Sequence, residues 1–205
     1  MKKCNSIFTP VCASMLGLCA CVSQESPHDR ARLPLQPGAS IQELMQTEID
    51  PSADGVWNAV QTVATRAGNE RRQPRTSREW ATAHDAAVKL IAASNLLLIE
   101  GRHVGAREFP AESDGALDSA HIQALIDSNR LAFDGYAVGL RTAVQRALAA
   151  IDAKDPDALV NAGGDIDAIC EACHLSFWYP NQVIPPFPAD DDPNHPILRE
   201  GSLER

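Results

Sequence analysis

The chain has 205 residues, of which 44% are hydrophobic and only 5% are aromatic. This length allows one domain or two small ones, and the composition excludes a collagen-like, fully disordered or polytopic membrane protein. The 18 basic and 27 acidic residues give a net charge of −9. Because nucleic-acid binding needs a basic surface and aromatic side chains that stack on bases, we expect no nucleic-acid partner.

The first twenty residues have the pattern of an export signal. Lys2 and Lys3 precede a mostly apolar stretch over residues 7–18, which is too short to cross a bilayer. Residues 18–21, Leu-Cys-Ala-Cys, resemble the lipobox of bacterial lipoproteins, in which a cysteine becomes the lipidated first residue of the mature protein. We therefore predict a signal peptide over these twenty residues and lipidation at Cys21, with a plain cleaved signal as the alternative.

Both alternatives export the protein, and the predicted signal and anchor contain most of its cysteines. Val22, which follows the lipobox cysteine, resembles outer-membrane sorting signals, so we predict a periplasmic protein anchored to the outer membrane. Four of the six cysteines belong to the signal and the anchor, which leaves Cys170 and Cys173 in the folded part. No disulfide framework can be built from these two cysteines.

The chain after the signal peptide of residues 1–20 divides into a tether, a domain and a tail. Residues 21–39 contain Ser, Gln, Pro and Gly with few large apolar side chains, and we predict a flexible tether there. Residues 40–179 hold the helical patterns and form the predicted domain. Residues 180–205 are rich in proline and are predicted to be extended, because proline cannot continue a helix.

Apolar residues at steps of three and four predict four amphipathic helices in this domain. The first begins at Ser40, and we interpret Asp50-Pro51 within it as an N-cap followed by proline at the first helical position. This region is predicted to be one bent helix or two consecutive ones. Its apolar face is expected to extend to Val63, before a polar connection over residues 68–76. The other three helices are predicted from Ser77 to Gly101, from Ser119 to Ile151, and from Asp155-Pro156 to Phe177.

Four helices of this kind predict an all-α fold, an antiparallel four-helix bundle with a long surface loop over residues 102–118. Such bundles often pair into homodimers, and the sequence selects neither a monomer nor a dimer. No hydrolase triad, glycine-rich phosphate loop or paired-carboxylate site stands out in the chain. We therefore expect no enzyme activity.

Cys170-Glu171-Ala172-Cys173-His174 has the C-x-x-C-H spacing of a c-type haem attachment site. On a helix, residues i and i+3 project from the same face, so each thiol can bond to one vinyl group of the same porphyrin. The adjacent histidine can then bind the iron axially. The motif predicts one haem c, attached through Cys170 and Cys173, with His174 as an axial ligand.

Three other interpretations of the cysteine pair remain open. A thioredoxin-like redox pair would need a strand–helix junction in an α/β fold. A zinc site would need further ligands, for which His84 is the candidate. The spacing can also arise by chance, although two free exported thiols three residues apart would tend to oxidise.

An exported helical domain with its C-x-x-C-H motif near the end of the last helix resembles cytochrome c′ and its low-spin relatives. The resemblance covers residues 40–179 and is carried by the motif and by its position close to the C-terminal end of the domain. It implies that the haem lies among the four helices. It also implies that a residue early in the first helix faces the sixth coordination position, a methionine in six-coordinate members and a bulky apolar residue in five-coordinate ones.

The segment that matches this position, residues 41–45, ends in Met45. Met1 and Met15 lie in the signal peptide, so Met45 is the only thioether of the exported chain. The resemblance therefore implies Met45 as the sixth ligand. Two alternatives stay open: Met45 fills the core, as methionines at helical spacing usually do, or His84 is the ligand.

The sequence departs from the resemblance after the motif. Relatives often have a basic residue a turn later, whereas here residues 175–180 are Leu-Ser-Phe-Trp-Tyr-Pro, an aromatic cluster that we expect to shield the haem edge. A run of arginines earlier in the chain offers candidate partners for the haem propionates, although such runs are usually solvated. These candidates are Arg71, Arg72, Arg75 and Arg78.

Ligation by both His174 and Met45 predicts an electron carrier, because both axial positions are then filled by protein. An open sixth position predicts a protein that binds nitric oxide or carbon monoxide instead. The third alternative is an interaction lipoprotein in which haem only stabilises the helices. The sequence does not specify the redox partner, and membrane contact is expected only through the lipid at Cys21.

Overall fold

The computed structural model describes residues 35–111, 113 and 115–183. The predicted signal peptide, the lipidation site at Cys21 and most of the tether lie outside the described residues, as does the tail from residue 184 onward. The described part is mostly helical, which confirms the predicted helical class, and it includes one β-hairpin that the sequence analysis did not predict. Within it, no helix is long and apolar enough to cross a membrane.

The described chain forms six α-helical segments, one π-helical segment and two strands. In chain order these are α1 (Ile41–Leu44), the π segment (Met45–Ile49), α2 (Asp50–Trp57), β1 (Gln61–Thr65), β2 (Gly68–Arg72), α3 (Ser77–Leu97), α4 (Ser119–Ser128), α5 (Arg130–Asp152) and α6 (Pro156–Phe177).

Side-chain caps explain where four of the helical regions begin. The side-chain oxygens of these caps accept hydrogen bonds from backbone N–H groups that would otherwise have no partner. Asp155 accepts from Asp157 and Ala158 and is followed by Pro156, so the predicted cap-plus-proline start of α6 is confirmed. The other three caps are Ser40 before α1, Thr76 before α3 and Asp118 before α4.

The first helical region runs without a break from α1 through the π segment into α2. Asp50 and Ile49 both have right-handed helical dihedrals, and the Asp50 N–H donates to the Met45 carbonyl, the i→i−5 bond of a π-helix. Of the two predicted alternatives, one bent helix fits the structure, whereas the interpretation of Asp50 as an N-cap is wrong. In a regular α-helix the Pro51 ring would clash with the Thr47 carbonyl, and the wider π turn just before it relieves this clash.

A β-hairpin follows α2 where the sequence analysis expected more helix. β1 and β2 are antiparallel, with Gln61 opposite Arg72 and Thr65 opposite Gly68. Val63 therefore belongs to a strand, which corrects its assignment to a helical face. Gly68 has a φ of 116°, a conformation that favours glycine and lets the chain reverse here.

Two helix boundaries also differ from the prediction. α3 ends at Leu97 rather than at Gly101, and the residues between them form a turn. The third predicted helix is divided into α4 and α5 at Asn129, whose φ and ψ are −130° and 36°. The Asn129 side chain donates to the Leu125 carbonyl at 3.1 Å, so this short polar residue competes with the backbone and interrupts the helix.

The helices pack around a core of aliphatic, alanine and phenylalanine side chains. α5 packs against both α3 and α6, while α2 packs against α3 and touches α6. Glycines allow the close approaches: a Cβ at Gly55 would lie 2.7 Å from the Ala86 Cβ, and one at Gly139 would lie 2.8 Å from the Ile169 Cδ1. A larger side chain at Gly55 would push α2 and α3 apart, whereas one at Gly139 would force the Ile169 side chain to move.

The loop after α3 is not confined to the surface as predicted, because Arg102 and Val104 are buried. The Arg102 guanidinium donates to the Leu96 carbonyl at the end of α3 and to the Ala39 carbonyl just before α1. The first two N–H groups of α1 donate to the carbonyls of His103 and Val104, both at 2.9 Å. The loop thus fastens the start of α1 to the end of α3.

Candidate functional site

One cavity brings together the four residues that the sequence analysis assigned to a haem. Met45 lines it from the π segment, and Cys170, Cys173 and His174 line it from the C-terminal part of α6. The space is about 190 Å³ and opens to solvent. Most of its remaining lining is apolar and comes from α2, α3, α5 and α6.

The two cysteines are protonated thiols at neutral pH. Burial raises the pKa of the Cys170 thiol to about 11, with smaller contributions from the carboxylates of Asp50 and Asp167. Burial also raises the pKa of the Cys173 thiol to about 12, with a further contribution from Cys170. Both residues lie near the C-terminal end of α6, where the helix dipole also disfavours a thiolate.

These properties argue against a thioredoxin-like pair. Such pairs act through a thiolate whose pKa is lowered at a helix N-terminus, whereas burial raises the pKa of both thiols here. The strand–helix junction is missing as well, since α6 follows α5 directly and the described strands are limited to the hairpin between α2 and α3. The cysteine pair instead lies on one face of a regular helix, beside a histidine.

Two aromatic residues that follow the motif stand beside His174. The His174 ring centroid is 6.1 Å from that of Trp178 and 5.9 Å from that of Tyr179, and both pairs meet edge to face. The His174 carbonyl accepts hydrogen bonds from the N–H groups of Trp178 and Tyr179 at 2.7 and 2.9 Å. These bonds end α6 and hold the two rings against the histidine.

The other aromatic residue of this cluster, Phe177, packs in the core and does not line the cavity. Its ring meets Phe133 at 5.6 Å and Tyr136 at 6.1 Å, both edge to face. The Ser176 hydroxyl donates to the Ala172 carbonyl at 2.7 Å, so in the 2.8 Å bond between Tyr136 and Ser176 the tyrosine must be the donor. This bond holds Tyr136 on the cavity wall.

The wall that carries Met45 is irregular. Met45 is partly buried and packs against the core, and Ile49, at the end of the π segment, is fully buried at the cavity. The i→i−5 bond brings Asp50 under Met45, so both residues reach the same cavity. Met45 is therefore placed where it can either fill space or offer its sulfur to a bound group.

Three carboxylates also line the cavity: Asp50 from α2, and Asp167 and Glu171 from α6. Burial raises the pKa of the Asp50 carboxyl, while the nearby His174 opposes this shift and Asp54 adds to it. Among the described residues, no lysine or arginine lines the cavity. The charged part of the lining is thus entirely acidic, apart from the histidine.

His84 lies away from the cavity, which corrects its candidacy as a ligand. Its side chain is 43% exposed, and its ring nitrogens are each 3.9 Å from a carboxylate oxygen, of Asp85 and of Asp152. Within the described residues, no three His, Cys, Asp or Glu side chains come together as a metal site. A zinc ion held by the cysteine pair and His84 therefore has no support.

The candidate propionate partners are outside the cavity as well. Arg71 pairs with Asp157 at 2.5 Å, and Arg72 lies 3.8 Å from Glu70 within the hairpin. All four arginines, Arg71, Arg72, Arg75 and Arg78, are exposed and none lines the cavity. The ordinary interpretation of this run as a solvated face fits the structure.

No family model, curated protein or solved structure matches the chain. What the cavity can do is therefore inferred from its own residues.

Three lining residues escaped the sequence analysis. Asp167 precedes Cys170 by three positions and so shares its helix face, a spacing that was available in the sequence. Tyr136 lies within the helix predicted from Ser119 to Ile151, but its pairing with Ser176 depends on how α5 and α6 pack. Asp50 was interpreted as a cap, because the π turn that directs it into the cavity has no simple sequence signal.

Proposed function

We propose that this chain is an exported c-type cytochrome that holds one haem c and transfers electrons. The observation that carries the proposal is the shared cavity, which is lined by both cysteines of the folded part, by His174 and by the only thioether of the exported chain. These residues are far apart in sequence, since Met45 and Cys170 belong to opposite ends of the domain. Chance spacing of the cysteines would not place such a donor set around one space.

The lining fits a haem in its chemistry. Cys170 and Cys173 would hold the macrocycle, and His174 would bind the iron, as the C-x-x-C-H spacing requires. Apolar side chains such as Phe133 and Leu140 would cover the ring and exclude water. The iron, when bound, supplies a one-electron couple, and its porphyrin nitrogens make a further cluster of protein ligands unnecessary.

We infer that the helices form an antiparallel four-helix bundle around this site. The support is the order of contacts: α2 with α3, α3 with α5, α5 with α6, and α6 with α2. In this arrangement α1, the π segment and α2 act as the first helix, and α4 is a short segment before the third. The resemblance to cytochrome c′ and its low-spin relatives implies the same arrangement.

Electron transfer follows from the pairing of His174 with Met45. When protein side chains fill both axial positions, the ligands change little between the ferric and ferrous states. No site for a substrate is then needed beside the iron. The partner that exchanges electrons with this domain is not specified by its residues.

A five-coordinate haem that binds nitric oxide or carbon monoxide is the second candidate, and Ile49 is the residue that favours it. Ile49 is only 2% exposed and lines the cavity one turn after Met45. In the family that the chain resembles, a bulky apolar residue covers the iron when no methionine binds it. If Ile49 rather than Met45 faces the iron, the sixth position stays open to small gases.

The proposal includes the cellular location. The signal-like residues 1–20 and the lipobox support export to the periplasm and a lipid anchor at Cys21 in the outer membrane. Cys21→Ser should move the protein from the membrane fraction into the soluble periplasm. A wild-type protein that is already soluble would contradict the anchor.

Mass spectrometry and absorption spectra test the haem and its ligands. Produced in a host that exports proteins and attaches haem c, the protein should carry the mass of one haem that survives acid–organic extraction. A reduced sample with sharp α and β bands, unchanged by carbon monoxide, would support ligation by Met45. A broad merged band that shifts with carbon monoxide would support the gas-binding alternative, and a mass without haem would falsify the proposal.

A further inference from the structure

The charges around the cavity are unbalanced. Asp50, Asp167 and Glu171 line it, and among the described residues no lysine or arginine does. All three are exposed residues, so water partly screens their charges. Asp50 differs from the other two in position, because it stands on the wall that also carries Met45.

Three observations single out Asp50. Its backbone is fixed by the bond from its N–H to the Met45 carbonyl, which ends the π segment. Its carboxyl is partly desolvated against the cavity, and its charge acts on both His174 and Cys170. No cation lies between Asp50 and these two residues among those that line the cavity. The carboxylate thus faces the place where the proposed haem would be attached and ligated.

We propose that the negative charge of Asp50 lowers the reduction potential of the haem iron bound by His174. This inference rests on the proposed function, since it needs a haem in the cavity. Ferric iron carries one more positive charge than ferrous iron, so a nearby fixed carboxylate stabilises the ferric form.

Asp50→Asn in the haem-loaded protein tests this role, because it removes the charge and keeps the shape. At a fixed applied potential we expect the ferrous-to-ferric ratio to rise on the order of tenfold, equal to about 59 mV for a one-electron couple. The spin state in the absorption spectrum should stay that of the wild type. Asp50→Glu should keep the low potential, because it retains the carboxylate.

Glu48→Gln is the matched control. Glu48 lies in the π segment, two residues before Asp50. Both residues are exposed, but Glu48 borders a different surface depression, beside Pro51 and Lys89. The Glu48→Gln substitution removes one negative charge from the protein, as Asp50→Asn does, yet we expect it to leave the midpoint potential nearly unchanged.

Each contrary result has a distinct meaning. An unchanged potential in Asp50→Asn, or an equal rise in Glu48→Gln, would overturn the assignment to Asp50 while the haem remains. A changed spin state in Asp50→Asn would also overturn it, because the aspartate would then act on ligand geometry and not through charge. A wild-type protein without haem would overturn both this inference and the proposed function.

Discussion

The two walls of the cavity that carry the proposed haem ligands differ in regularity. α6 is α-helical from Pro156 to Phe177, and it presents Cys170, Cys173 and His174 at fixed angles. The facing residues on the other wall belong to a helix that changes from α to π at Met45 and back to α at Asp50. A spacing motif needs the regular helix, because attachment through i and i+3 depends on constant geometry.

The irregular wall brings two residues that are five positions apart to the same side of the helix, which a regular α-helix would not do. In an α-helix, residues five apart point in different directions, whereas the π turn aligns Met45 with Asp50. One candidate ligand and one charged residue thereby reach the same cavity. The regular wall would thus hold the haem, while the irregular wall would set the properties of its iron.

Removing both thiols takes the haem attachment points from α6 and should have the largest effect on haem content and stability. In Cys170→Ala combined with Cys173→Ala we expect no covalent haem by mass spectrometry. Because the bound group would fill the space between the helices, the free energy of unfolding should fall sharply in urea titrations against the haem-loaded wild type. His84→Ala, outside the cavity, should keep the haem. A double variant that still carries covalent haem would refute attachment at these cysteines.

Two substitutions of Met45 test the irregular wall. Met45→Ala should change a low-spin spectrum to a high-spin one, open the site to carbon monoxide and cost about 2–5 kcal/mol of stability through the cavity it leaves. Met45→Leu keeps most of the volume, so it should change the spin state in the same way at a cost below about 1.5 kcal/mol. If both variants keep the low-spin spectrum, Met45 is a core residue and not a ligand.

Because the thiols are buried, we predict that the free energy of unfolding falls at high pH, and that only the haem-free chain shows this fall. Burial raises the pKa values of Cys170 and Cys173 from 9.0 to about 11 and about 12. Above pH 9 the unfolded thiols therefore lose protons before the folded ones do, and the stability that is fully present below pH 9 is lost as the pH rises toward 12.

Urea midpoints at pH 8 and pH 10 measure this loss, on the scale of about 1.4 kcal/mol per unit of pKa difference. The haem-free double alanine variant is the control, since it lacks both thiols. The haem-loaded protein should also resist this rise in pH, because thioethers do not ionise. Equal losses in the haem-free wild type and the double variant would mean that the thiols are not buried.

Each wall contains one proline, and replacing each proline with alanine compares the two walls directly. We expect these two substitutions to have the smallest effects. Pro51→Ala restores an N–H donor and removes the ring that the π turn accommodates, so we expect the helix to become more regular and about 1–3 kcal/mol more stable. The same change should turn Met45 away from the cavity and weaken a low-spin spectrum. Pro156→Ala, at the first position of α6, should change stability by less than about 1 kcal/mol and leave the spectrum unaltered. Identical responses would show that Pro51 does not cause the irregularity.

The regular wall could be predicted because its signals are local. Asp155-Pro156 marks the start of α6, and the spacing of Cys170, Cys173 and His174 indicates their shared face without any knowledge of the packing. Met45 was named from the resemblance, which located a position in the first helix but not its π geometry. Pro51 is a sequence signal of this irregular helix. However, aspartate followed by proline occurs both at a helix start and next to a π turn, so the signal is ambiguous.

Other features depended on interactions that periodicity does not report. Val60 and Val63 continue an apolar spacing of three, so the hairpin was interpreted as helix although Gly68 permits a reversal. The division at Asn129 comes from a side chain that bonds to the Leu125 carbonyl, within an apolar pattern that continues across it. The positions of His84 and the arginines followed from the packing of α3 and the hairpin, which the sequence does not specify.

The bond between Arg102 and the Ala39 carbonyl joins residues 63 positions apart, whereas α5 and α6 are neighbours in the chain. Contacts between neighbouring segments close shorter loops and form earlier in folding. We therefore expect the α5–α6 pair to assemble first and the start of α1 to dock last. Pulsed hydrogen exchange during refolding should protect amides of α6 before those of Ile41 and Gln42. An order of this kind would complete the face of α6 that carries the cysteines before the segment that bears Met45 closes over it.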